Sequence, residues 1–169
     1  TSDQTRIYRD SWGGPAMNQL STLADLTFAA WATDLQDGNN GTANMANTIQ
    51  PLIRKSGTET VGATVLQEFW NPKNDPATWQ HMVTHTIGFG QGAYRWTNNS
   101  GNTLIAPLWN NATDNNYGGD YSNIVNGTVN WPNPITGMNE NGRPFELWHM
   151  ALNSRGKFYP ARDANALSN

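Results

Sequence analysis

Apolar residues recur at three- and four-residue spacing through Leu20, Leu23, Leu26, Ala30, Trp31 and Leu35, which predicts an amphipathic helix. Asn18 or Ser21 is placed to cap its start, and Asp37-Gly38 to stop it. The Asn/Gly-rich stretch 38–47 reads as a loop. From 48 to 70 the apolar positions Ile49, Leu52, Ile53, Val61, Val65, Leu66 and Phe69 fit short helices or strands equally well. Asn71-Pro72-Lys73-Asn74-Asp75-Pro76 is a turn, and Asp75 before Pro76 predicts one helical turn over 76–80. Residues 82–90 are rich in β-branched side chains and end in glycine, which predicts a buried strand.

Periodicity then lapses. Residues 91–143 are rich in Asn, Gly, Trp and Pro, and so long an irregular stretch reads as a loop insertion. Pro144 opens a second helix with Phe145, Trp148, Ala151 and Leu152 on one face, and Asn153 to Gly156 ends it. Residues 157–161 form a short strand. Asp163 is placed to cap a last helix from Ala164, with little chain left to complete it. Helix, strand, excursion, helix and strand in alternation imply an α/β fold with a parallel sheet between covering helices.

Composition narrows the function classes. The 169 residues suit one domain with a real core. Only 14% are charged, and uncharged polar residues take their place, as is common in exported and surface proteins. A net charge of −3 without a basic stripe argues against a nucleic-acid partner. No apolar run is long enough to span a bilayer. The absence of cysteine excludes disulfides, thiolate metal sites and cysteine nucleophiles within the chain.

Candidate chemistry is sparse. His81 and His85, four apart, share a face if both lie on the predicted strand, and with His149 they offer the donor set of a His₃ metal site. The plainer reading places His81 at the strand entrance and packs His149 beside Trp148. Asp114 and Asp120 bracket an oxygen-rich loop of the kind calcium favours, although Val125 stands where an EF-hand places its bidentate Glu. Residues 88–92 lack the ending of a phosphate loop, and no G-x-S-x-G elbow occurs. Trp96, Trp109 and Trp131 lie in the irregular region, where exposed aromatics serve as binding anchors. The competing reading packs them into local loop cores.

Three segments carry a family resemblance: residues 23–35 (LADLTFAAWATDL), 75–90 (DPATWQHMVTHTIGFG) and 147–159 (LWHMALNSRGKFY). In order and spacing they resemble the PilC/PilY-type proteins of type IV pili, in the late part of their von Willebrand factor A (vWA)-like domain. His85 and Ser154 depart from the family pattern, which has an aromatic and a Gly there. The resemblance implies a partial doubly wound parallel sheet over residues 1–169, with 91–143 as an insertion. The D-x-S-x-S strand that holds Mg²⁺ or Ca²⁺ in such domains is expected upstream, and the family's propeller downstream. It implies no cofactor within this chain, and a divalent cation only in a full-length parent. The implied role is a non-catalytic adhesion and pilus-biogenesis module at the cell surface and pilus tip. Its expected partners are minor pilins or other pilus subunits, a host or surface receptor, and another chain completing the sheet. The alternatives are a structural filament subunit, for which the same open sheet would be an assembly edge, and a hydrolase built on His81, His85 and His149.

Overall fold

A computed structural model describes residues 3–9, 22–38, 43–93, 95–97, 103–105, 109–110, 116–132 and 143–161. The first helix, α1 (Leu23–Ala32), is capped by Thr22. The Thr22 hydroxyl accepts from Asp25 N at 3.1 Å, and the Asp25 carboxylate accepts from Thr22 N at 3.3 Å. This reciprocal pair satisfies two backbone donors that a helix start otherwise leaves open. The cap therefore falls at Thr22, whereas Asn18 and Ser21 lie outside the described residues.

The buried side of α1 also differs from the leucine stripe. Ala24, Thr27 and Trp31 face inward, whereas Leu23, Leu26 and Leu35 are each more than 40% exposed. The reason is the partner helix, α3 (Pro144–Asn153). Glu146 Oε1 accepts from Ala24 N at 2.9 Å, Thr27 Oγ1 donates to Met150 O at 3.1 Å, and Asn153 Nδ2 donates to Ala24 O at 3.0 Å. Small residues let the helices approach closely enough for these bonds, and bulky leucines on that face would hold them apart.

The ambiguous stretch 48–70 resolves into a hairpin, β1 (Thr58–Val61) and β2 (Thr64–Gln67), with Val61 opposite Thr64. Gly62 supplies the positive φ of +59° that the tight turn demands. Residues 76–80 form no helical turn, because Asp75 is occupied elsewhere: its backbone bridges to Leu52.

The predicted strand is real but shorter, β3 (Thr86–Phe89), and it pairs in parallel with β8 (Phe158–Ala161). Thr86 lies opposite Phe158, and Phe89 opposite Ala161. Together with α3, this pair makes an α/β arrangement. The 91–143 region is not uniformly irregular. It contains the short antiparallel ladders β4 (Arg95–Thr97) with β5 (Thr103–Ile105) and β6 (Trp109–Asn110) with β7 (Asn116–Tyr117), and a helix, α2 (Tyr121–Asn126). Among the described residues each sheet holds two strands. The helix expected from Ala164 lies outside them.

The core gathers around α3. Phe145, Trp148, Ala151 and Leu152 are buried as predicted, and they meet Ile124 and Val125 of α2, Phe158 of β8, Leu66 of β2 and Ile7 of a 3₁₀ turn at Arg6–Tyr8. After α3, Arg155 adopts a left-handed φ of 63° and Gly156 passes directly under Thr84 O. A Cβ at position 156 would stand 2.0 Å from that carbonyl, so no side chain fits without moving β3 away from β8. Gly156→Ala is expected to destabilise the fold by about 3 kcal/mol, the upper part of the range for overpacking a core. Urea unfolding followed by Trp fluorescence checks this; a change below about 1 kcal/mol contradicts the packing.

Candidate interaction surface

The three histidines occupy three separate environments. His81 is nearly buried on the segment before β3, where its Nε2 lies 2.9 Å from Asp75 Oδ2 and its Nδ1 2.7 Å from Trp79 O. His85 is exposed at the entrance to β3; its Nδ1 accepts from Lys157 N at 3.2 Å and its ring leans on Tyr159. His149 is buried on α3 and stacks on Trp131 with centroids 4.4 Å apart and planes 15° apart. Neither His81 nor His85 lies within β3, so the alternation of a strand does not place them on one face. Among the described residues no three His, Cys, Asp or Glu side chains come together as a metal-binding group.

Asp120 is occupied at the start of α2. Its Oδ2 accepts from Ile105 N at 2.6 Å and its Oδ1 from Asn123 Nδ2 at 2.7 Å, which ties the β5 segment to the helix. Asp114 lies outside the described residues. Trp131 is a core residue and not an exposed anchor: it is 4% exposed, and its Nε1 donates to Ile7 O at 2.7 Å. A buried indole finds a partner for its N–H, and here the partner is the N-terminal turn. The backbones of Trp96 and Trp109 lie in β4 and β6, while their side chains lie outside what is described.

Two functional-looking groups escape a sequence reading. Asp75 reads as a helix cap, yet its carboxylate accepts from both Trp31 Nε1, at 3.0 Å, and His81. Arg155 reads as part of a helix ending. In the fold its guanidinium lies 4.4 Å from the ring centroids of both Tyr8 and Trp31. It donates to the Tyr8 hydroxyl and to Phe69 O. Burial lowers the pKa of this group, and the two ring faces supply part of the lost solvation. The Arg-Gly pair after a helix is the signal in the sequence, but it names no partners.

Among the described residues, one face of the β3–β8 pair is open. Thr86, Gly88 and Phe158 turn toward α3: Thr86 Oγ1 donates to Leu147 O at 2.7 Å, and Phe158 packs on Trp148. The alternate residues Ile87, Phe89 and Tyr159 point the other way and are 61%, 65% and 48% exposed. Parallel sheets are ordinarily covered on both faces, and a contiguous exposed apolar patch marks a contact surface.

Comparison with known proteins agrees with the family signature. The chain is 37% identical over 147 residues to the type IV pilus biogenesis factor PilY1 of Pseudomonas aeruginosa strain PAK. It is 37% identical over 148 residues to that of strain PAO1, and 36% over 153 residues to that of strain UCBPP-PA14. Over this stretch the chain is homologous to PilY1. The matches cover 87–90% of the chain but 11% of each PilY1. No protein-family model matches, and no solved structure does. No described helix is long and apolar enough to cross a membrane.

Because Trp131 is packed and hydrogen-bonded, Trp131→Ala is expected to lower stability by about 3–5 kcal/mol. Thermal and urea unfolding check this; a variant as stable as the parent would return Trp131 to the surface.

Proposed function

We propose that this chain is a non-catalytic module of a type IV pilus biogenesis and adhesion protein, acting at the cell surface and pilus tip. Its β3–β8 pair belongs to a larger vWA-like doubly wound sheet, and the apolar face of Ile87, Phe89 and Tyr159 receives the covering elements of that sheet. The pilus role rests on the identity to PilY1 along nearly the whole chain. The docking role rests on one observation, the exposure of three large side chains on a single sheet face. Minor pilins or other pilus subunits and a surface receptor are the partners this role calls for. The described residues do not fit a vWA-type cation site, since no acidic or histidine cluster is present among them and the chain has no D-x-S-x-S. The reading therefore routes nothing through a metal ion.

The test is a chimera. In P. aeruginosa PAO1 the matched stretch of PilY1 is replaced by the matching residues of this chain, and surface pili are counted. Restored piliation is the expected result; a stable, exported chimera that leaves cells bald would sink the pilus reading. Ile87→Asp with Phe89→Asp in the same chimera is expected to reduce surface pili at least tenfold. In the 169-residue chain alone the same pair should lower the unfolding temperature only slightly, because both side chains are already mostly exposed. Full piliation by the double variant would remove the docking role and leave the pilus role standing.

The open face also favours a second reading, a filament subunit whose sheet is completed by another chain. A monodisperse monomer in analytical ultracentrifugation at high concentration counts against it.

A further inference from the structure

The turn that follows Trp70 brings an amine, a carboxylate and a carboxamide into one buried cluster. Asn71 is wholly buried and Lys73 is 3% exposed. Lys73 Nζ donates to Glu59 Oε1 at 2.5 Å, and Asn71 Nδ2 donates to Glu59 Oε2 at 2.7 Å. Each oxygen of the β1 carboxylate thus holds one of the two nitrogens. The Asn71 carboxamide oxygen accepts from Lys73 N at 3.1 Å, which fixes the amide end that faces Glu59. Pro72 stands between the two residues, and its ring locks the backbone of the turn that sets them side by side. Lys73 and Glu59 alone would be an ordinary buried ion pair. The carboxamide on the second oxygen makes the cluster a reactive one.

We infer that Lys73 Nζ and Asn71 Cγ join in an intramolecular isopeptide bond, with Glu59 carrying protons between them. The Nζ–Cγ bond forms, the Cγ–Nδ2 bond breaks, and ammonia leaves. A lysine amine attacks a carbonyl carbon once it gives up a proton, and Glu59 Oε1 is within reach to take it. The Lys73 backbone N–H polarises the Asn71 C=O and stabilises the oxyanion that attack creates there. Nζ gives up two of its three protons. One passes through Glu59 to Nδ2, which departs as ammonia, and the other stays on Glu59. An ammonium and a carboxylate are thereby exchanged for a neutral amide and a neutral carboxyl. This removes the desolvation cost of holding two charges away from water.

The surroundings favour the step. Glu59 lies near the Tyr121 hydroxyl of α2, which burial pushes well above its usual pKa. A site this poor in water gives the amine little competition for Cγ. Asparagine otherwise loses ammonia by closing on the backbone nitrogen of the next residue. Pro72 has no N–H to offer, so that route is shut at Asn71.

Intact-mass spectrometry of the purified, denatured 169-residue chain tests the bond. The expected mass is below that of the sequence by one ammonia, about 17 Da. Trypsin places the loss, because it cuts after Lys73 only when that amine is free. Residues 56–95 are therefore expected as one peptide, lighter by one ammonia and giving no fragment ions from breaks between 71 and 73. Glu59→Gln is expected at its full sequence mass, with cleavage after residue 73 restored. A parent at full sequence mass, or one that trypsin cuts after Lys73, overturns the inference. A bond that still forms in Glu59→Gln overturns the part given to Glu59. Should that variant fail to fold, the mass and digest of the parent decide alone.

Discussion

The structure turns on a buried cation held between two aromatic rings. The Arg155 guanidinium lies against Tyr8 of the N-terminal turn and Trp31 of α1, and it reaches Phe69 O beside β2. A charge removed from water is costly unless something replaces its hydration. Here the replacement is two π faces, a hydroxyl and a carbonyl, drawn from three separate parts of the chain. Each of those parts is thereby fixed to the end of α3. The left-handed backbone at Arg155 aims the side chain inward, and Gly156 then lets β8 run close beside β3. One turn of chain thus sets the aromatic cluster and the parallel register together.

Around this clamp, side-chain amides do work that secondary structure does elsewhere. Asn74 accepts from Arg54 N and Lys55 N and donates to Lys55 O and Glu68 O. Asn71 and Lys73 share the Glu59 carboxylate at 2.7 and 2.5 Å, which binds the turn to the β1–β2 hairpin. Asn153 closes the α1–α3 contact by donating to Ala24 O and Tyr8 O. Segments with irregular backbone must find partners for their buried polar groups, and short asparagine side chains supply them. This is where much of the uncharged polar composition goes.

The interior is therefore strongly specified, while one sheet face is left apolar and open. The contrast suits a piece of architecture made to receive more polypeptide. The chain spans about a ninth of the PilY1 sequences it matches, which leaves ample protein in those relatives for such a role.

What the sequence determined by itself was local or motif-borne. The α3 helix, its Pro144 start, its buried face and its stop at Asn153 follow from spacing and from the fixed φ of proline, which need no distant partner. The strand read over 157–161 stands at 158–161, the alternation of helices and strands made its parallel pairing legible, and the three family segments carried the kinship with PilY1. Which face of α1 is buried was not legible, because both of its faces are apolar and the choice rests on Glu146, Met150 and Asn153 of a helix more than a hundred residues away. Asp75 could equally cap a helix or accept from an indole, and only the arrival of Trp31 and His81 decided it. Trp131 could stand in water or in the core, and Ile7 O with the His149 ring settled the matter. Short-range patterning specifies elements. The assignment of each polar or aromatic side chain to a partner depends on contacts across the chain, and those exist only once it has folded.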